Sequence, residues 1–138
     1  LEFRRVLFRS TGSARSDASR LRAAASRPKA WAEAAIAVQP SRGGEGVPKS
    51  LLEAAACARP LLTTDVPGCR ELVRDGVNGL VVQPENPEAL ADALTRLAAD
   101  PELRRRLGRE ARRIVEAEHT DVAVASATLD VYRRALSA

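Results

Sequence analysis

Residues 36–68, IAVQPSRGGEGVPKSLLEAAACARPLLTTDVPG, decide the fold class. Ile36-Ala37-Val38 is a short apolar run ended by Gln39-Pro40, which predicts a buried strand followed by the loop Ser41-Arg42-Gly43-Gly44. Pro48 stands where a first helical turn tolerates a residue without an N–H, and Leu51, Leu52, Ala55 and Ala56 continue the helix. Arg59-Pro60 ends it. Leu61-Leu62-Thr63-Thr64 is then a second short strand, stopped by Asp65-Val66-Pro67-Gly68. Short apolar strands separated by a helix argue for a parallel sheet, because a parallel crossover needs about a dozen residues or more.

The pattern continues downstream. A turn of helix is predicted around Arg70 to Val73, then two turn signals, Asp75-Gly76 and Asn78-Gly79, and a third strand at Leu80-Val81-Val82, closed by Pro84. Three helices follow. Asn86-Pro87-Glu88 opens one with a cap, a proline and a first-turn carboxylate, and Leu90, Leu94 and Leu97 share a face. Asp100-Pro101-Glu102 repeats the start signal ahead of Leu103, Leu107 and Ile114. Thr120 or Asp121 caps a last helix whose apolar face runs Val122, Ala125, Leu129, Tyr132 and Leu136. The fold class is therefore α/β: a partial doubly wound, Rossmann-like parallel sheet of three strands with a helical C-terminal tail. Such sheets bind ligands outside the carboxyl ends of their strands, where the loop 41–47 lies.

The 138 residues suffice for one modest domain, with 45% hydrophobic and 29% charged residues. With one Trp, one Tyr and two Phe, the core rests on Ala, Leu and Val, which suits helices on a sheet. No apolar run approaches the roughly 20 residues of a membrane span, and no signal-peptide start is evident. The basic pI of about 9.8 is misleading. Residues 1–30 hold eight basic and two acidic side chains, leaving 14 basic against 16 acidic groups in the remainder. The arginines at 104, 105, 106, 109, 112 and 113 alternate with Glu102, Glu110 and Glu116, which reads as the solvated side of a helix and not a nucleic-acid patch. Cys57 and Cys69 make neither a disulfide framework nor, with His119 alone, a zinc site; they read as reduced thiols packed as small hydrophobes. His119 falls between two helices and reads as a loop or capping residue, and Asp65 and Glu71 as turn and helix-start residues.

The chain starts at Leu1 and contains no Met, so it is not expected to be an intact reading frame. Residues 1–10, LEFRRVLFRS, resemble the in-frame translation of a common sequencing adapter and are set aside. Residues 11–30 are rich in Ser, Arg and Ala, with only a weak helical stretch around Leu21 to Ala25. The organisation expected is a non-native or disordered head over 1–30 and a coherent domain over 31–138.

Within that domain, Glu45-Gly46-Val47-Pro48-Lys49-Ser50-Leu51-Leu52-Glu53-Ala54 sets two carboxylates eight residues apart, one in the loop and one inside the helix. Between them, the amides of Lys49 and Ser50 open the helix, where unpaired N–H groups and the helix dipole favour an anion. Gly46 permits close approach to a ligand and a sharp turn. Phosphate at the helix start, flanked by carboxylates that accept from hydroxyls, is a sensible way to hold a sugar nucleotide. By pattern alone, Glu45 could equally be a loop carboxylate and Glu53 a surface helix residue.

From Trp31 to Leu136 the chain resembles the C-terminal half-domain of glycosyltransferase family 4, retaining enzymes of the GT-B fold. The resemblance rests on Pro40-Ser41, the E-x7-E signature as Glu45 and Glu53, Glu53-Ala54-Ala55, and Arg59-Pro60. It continues through Thr64-Asp65-Val66-Pro67-Gly68-Cys69-Arg70-Glu71, Asp75-Gly76-Val77-Asn78-Gly79-Leu80 and Asp100-Pro101-Glu102-Leu103-Arg104. It implies the second half of a GT-B C-terminal domain that binds a nucleotide-diphosphate sugar and transfers a hexosyl or N-acetylhexosaminyl group to a glycan or lipid-linked acceptor. Glu45 would be catalytic, contacting donor-sugar hydroxyls and stabilising an oxocarbenium-like transition state. Glu53 would accept from the ribose. Gly46, Val47, Pro48, Lys49 and Ser50 would complete the donor site, with the diphosphate on the amides of Lys49 and Ser50. No metal or other cofactor is implied.

The family's basic pair would precede residue 31, and neither Arg9 nor Arg15 is cast in its place. The resemblance further implies bacterial polysaccharide assembly in the cytoplasm, at the inner face of the membrane, with peripheral association through an N-terminal domain absent from this chain. The fragment alone is expected to be inactive and its last helix partly orphaned. The alternatives left open are a non-catalytic α/β interaction module and a GT-B relative such as a sugar-nucleotide epimerase or a glycan phosphorylase.

Overall fold

The computed structural model describes residues 6–8, 27–44 and 46–137. In chain order the elements are β1 (Val6–Phe8), α1 (Arg27–Glu33), β2 (Ile36–Gln39), α2 (Lys49–Ala56), β3 (Leu61–Thr64), α3 (Pro67–Arg70), β4 (Gly79–Val82), α4 (Pro87–Ala99), α5 (Pro101–Glu118) and α6 (Asp121–Leu136). The strands form one sheet in the order β1-β2-β3-β4, and every pair is parallel. The registers Val38↔Leu62 and Leu62↔Leu80 align the apolar centres of the three strands read from sequence. The fourth strand lies in the stretch that the sequence reading sets aside, where Val6-Leu7-Phe8 pairs along Ile36, Ala37 and Val38.

Alternation along the strands feeds two cores, as period-two geometry requires. Ala37 and Leu61 face a layer that contains Trp31 and Ala34 from the α1 region, Leu51, Ala54 and Ala55 of α2, and Cys69 of α3. Ile36, Val38, Leu62 and Leu80 face the opposite layer, built on Leu97 of α4 with Leu90 and Leu94 packed beside it. Helices on both faces of a parallel sheet make the expected doubly wound arrangement. α5 belongs to both layers: Leu103 and Leu107 enter the second core, while Ala111, Ile114 and Val115 enter the first. It crosses at Gly108, where a Cβ would stand 2.2 Å from the carbonyl oxygen of Ala58, just past the end of α2.

The helix starts follow the sequence closely. Asn86 Oδ1 accepts from the Ala89 amide, Asp100 Oδ1 from Leu103, and Thr120 Oγ1 from Ala123, each three residues on as N-caps should. Asp100 serves twice, because its own N–H donates back to Arg96 to end α4. Two boundaries differ. Pro48 is the cap residue ahead of α2 and not its first helical residue, and the short helix expected at 70–73 begins at Pro67. Val66 is extended there, and Pro67, with φ preset and no N–H to satisfy, opens the turn.

Helix α6 stands apart. None of its residues is buried, and its predicted apolar face is in solvent: Val122, Leu129, Tyr132 and Leu136 are all exposed. That outcome agrees with the expectation of an orphaned face. Cys57 and Cys69 form no disulfide with each other; Cys69 is buried and Cys57 half-buried. Among the described residues no helix is long and apolar enough to cross a membrane.

Candidate functional site

The carboxyl ends of β2 and β3 carry an unusual density of buried polar side chains. Gln39, Ser41, Ser50, Thr63 and Thr64 are all buried, in a core otherwise mostly aliphatic. Burial of such groups is tolerated only when they are hydrogen-bonded, and these bond to one another and to the loop. The Ser50 hydroxyl donates to Gln39 Oε1 at 2.9 Å. Thr63 Oγ1 donates to the Gln39 carbonyl at 2.8 Å, and Thr64 Oγ1 donates to the Ser41 carbonyl. The backbone of residues 39–41 is thereby fastened to the end of β3, and the start of α2 to the end of β2.

Above this platform the chain turns through Gly43 and Gly44, with φ of 104° and 81°. That region is open to glycine at little cost and strained for other residues. The sharp turn expected at Gly46 is therefore made earlier; Gly46 itself is exposed, with open space where a Cβ would project. Val47 is half-buried against the first core and Pro48 is buried, so the loop returns to the fold before the helix opens. Pro48, at the cap position, offers no side-chain hydrogen bond to α2, and no side chain among the described residues caps it. The amides of Leu51 and Leu52 both turn back to the Pro48 carbonyl, and those of Lys49 and Ser50 form the first turn.

Of the residues singled out in the sequence, Gly46, Val47, Pro48, Lys49, Ser50 and Glu53 come together at this one junction of loop and helix. Lys49 points to solvent, whereas the Ser50 hydroxyl is turned inward. Glu53, half-buried one turn into α2, accepts a hydrogen bond from Trp31 Nε1 at 3.4 Å. Glu45 lies outside the described residues. The same is true of Arg9, Arg15 and the weak helical stretch at 21–25.

The polar platform and Trp31 were not anticipated. The platform had a visible signal, since each of two apolar strands ends in polar residues, Gln39 in one and Thr63-Thr64 in the other. Trp31 had none, because its partner is 22 residues away and depends on how α1 docks.

Other candidate groups have structural duties. The His119 backbone N–H ends α5 by donating to Val115, as a capping residue does, although its Nε2 has no partner among the described residues. Asp65 pairs with Arg70 at 3.3 Å and holds the turn after β3. Along α5, Glu102 pairs with Arg105, Glu116 with Arg112, and Glu110 with Arg113. The hydrogen bonds from Arg113 hold the Glu110 carboxyl below the usual carboxylate range. This is the solvated, internally paired face expected of that helix. Arg104 instead covers the last carbonyls of α4, donating to Leu97 and Ala98.

A concavity of about 700 Å³ lies at the opposite, amino-terminal edge of the sheet, lined by residues that include Ala34, Arg59, Pro60 and Arg104. Its central guanidinium is already engaged, with Arg59 donating to the carbonyls of Cys57 and Ala34. Parallel sheets place ligands at the other edge, so the loop-helix junction is the stronger candidate. Among the described residues, no three His, Cys, Asp or Glu side chains gather as a metal site.

Comparison with known proteins matches residues 14–100 to the family model described as glycosyl transferases group 1. Over 108 residues, 78% of this chain and 22% of the relative, the sequence is 44% identical to the D-inositol 3-phosphate glycosyltransferase of Streptomyces griseus. Among solved structures, a sucrose-phosphate synthase from Thermosynechococcus elongatus superposes with a TM-score of 0.70 at 33% identity. That match covers 78% of this chain and 27% of the synthase. Anabaena HepE, solved in complex with UDP-glucose, shares the fold with a TM-score of 0.72 at 21% identity, over 78% of this chain and 30% of its own. The chain spans about a quarter or less of the length of curated relatives it matches.

Proposed function

The chain belongs to the group 1 glycosyl transferases, and from that premise we propose that it forms one wall of the donor site of a retaining, family 4 enzyme. The reaction is transfer of a hexosyl or N-acetylhexosaminyl group from a nucleotide-diphosphate sugar to a glycan or lipid-linked acceptor. One observation carries this reading: α2 starts at the carboxyl edge of the sheet behind Pro48, which supplies no side-chain cap, with Glu53 one turn behind it and the loop ahead pinned by buried polar bonds. The fold shared with a protein solved with UDP-glucose bound supports a nucleotide sugar as the ligand.

In this reading the donor diphosphate lies against the amides of Lys49 and Ser50, beside Gly46, Val47 and Pro48. Glu53 accepts from the ribose hydroxyls, and Glu45, on the loop, meets the sugar. Negative charge grows on the diphosphate as the glycosidic bond breaks. Donors fixed at that position therefore stabilise the transition state more than the bound substrate. The positive end of the α2 dipole adds to the same effect, and the reading includes no bound metal. The enzyme works in the cytoplasm at the inner face of the membrane, in polysaccharide assembly, associating peripherally through an N-terminal acceptor domain. No nucleic-acid partner is involved.

The test is kinetic. In the full-length protein that carries this chain, Glu53→Ala is expected to weaken donor binding roughly tenfold, the size of a lost hydrogen bond to a charged group. Glu45→Ala is expected to lower kcat on the order of a hundredfold with a smaller effect on KM, as loss of a transition-state contact does. Unchanged kinetics in both variants would refute the assignment. Residues 31–138 alone are expected to show no sugar transfer and no donor hydrolysis; either activity in the purified domain would overturn that part.

A further inference from the structure

Trp31 is the single tryptophan of the chain, and it projects from α1 into the first core with only 9% of its surface exposed. A buried indole N–H needs an acceptor within the protein, because leaving it unpaired costs the full desolvation of the group. That acceptor is Oε2 of Glu53. The face of α2 turned to the sheet is formed by Leu51, Ala54 and Ala55, with Glu53 at its flank and half-buried. A glutamate in such a place has several rotamers open to it, and this hydrogen bond is one contact that favours the rotamer observed. The donor is rigid, since the indole packs in the same cluster as Ala34, Leu51 and Ala54. It also comes from the helix that leads directly into β2, so the contact joins α2 to the element that carries the loop.

We infer that Trp31 is a positioning residue of the donor site, its indole N–H holding the Glu53 carboxylate in the orientation that accepts from the ribose. The inference rests on the donor-site reading of Glu53 given above. Its physical content is preorganisation: a carboxylate already fixed by the protein loses less side-chain freedom when the ligand arrives. Trp31 does not touch the reacting atoms, so its removal should weaken donor binding and leave the chemical step alone.

The experiment compares Trp31→Phe, Glu53→Ala and the double variant in the full-length protein, with UDP-glucose, GDP-mannose and ADP-glucose as donor probes. Trp31→Phe keeps an aromatic ring in the core, though a smaller one, and removes the N–H. It is expected to raise donor KM roughly threefold to tenfold, the worth of one hydrogen bond, with kcat nearly unchanged. The double variant should be no worse than Glu53→Ala, because a residue that acts through Glu53 has nothing left to position. Additive losses, or a fall in kcat matching the rise in KM, would mark a merely structural tryptophan and overturn the inference. If Glu53→Ala leaves donor KM unchanged, or none of the three probes is turned over, the donor-site reading falls and Trp31 falls with it. If Glu53→Ala raises KM and Trp31→Phe does not, only Trp31 falls.

A second measurement guards against a Trp31→Phe variant that does not fold. In this chain the one indole N–H resonance should move in Glu53→Ala, and a resonance that stays in place overturns the contact itself.

Discussion

Ser50 has two separate duties at one position. Its amide belongs to the first turn of α2, while its hydroxyl, buried, donates to Gln39 Oε1 at the end of β2. Ser50→Ala keeps the amide and removes the hydroxyl, leaving a buried amide oxygen without that donor. The expected cost is about 1–3 kcal/mol of stability, read as a lower denaturation midpoint at unchanged m-value, with a smaller effect on donor KM than Glu53→Ala. The two duties were unequally legible in the sequence. A serine two residues past a proline at a predicted helix start points to the amide role. Nothing local says that the hydroxyl turns inward, because its partner sits on a strand eleven residues earlier. Glu53 shows the same division: its spacing from Glu45 left it equally a surface residue, the family resemblance alone implied a ligand role, and the indole beside it came only from the docking of α1.

Among the elements, α5 is where intrinsic preference and packing point in opposite directions. Replacing a mid-helix glycine by alanine ordinarily stabilises by about 1 kcal/mol. At Gly108 the added Cβ would stand 2.2 Å from the Ala58 carbonyl oxygen and 2.9 Å from its carbon, both backbone atoms that cannot rotate away. Gly108→Ala is therefore expected to destabilise by about 1–3 kcal/mol, as overpacking does, with a lowered thermal midpoint. A raised midpoint would show that helix and turn separate easily. Element starts were readable because their signals are local: Asn86, Asp100 and Thr120 each cap the helix that follows within three residues. Pro67 was read as part of a stop after β3 and proved to open α3, since proline serves both ends of that boundary equally well. The close approach at Gly108 was not readable, because one glycine in a helical pattern does not name what lies against it.

For the molecule as a whole, the parallel sheet followed from the alternation of short strands and helices, and with it the edge proposed to carry the site. How the helices divide between the two faces did not, because the apolar periodicity of a helix says that one side is buried and not against what. The division matters for stability. α6 contributes no buried residue, so removing residues 121–138 is expected to leave one unfolding transition at nearly the same midpoint; a second transition or a large drop would show that α6 holds the fold. α5 is the opposite case, since its first half closes one core and its second half the other. A chain emerging from the ribosome has every described strand by residue 82, yet neither layer is sealed before residues 103–115 arrive. Until then each face is covered only in part, one by α1, α2 and α3 and the other by α4. One helix thus completes two layers at once, so a change in α5 is felt on both sides of the sheet.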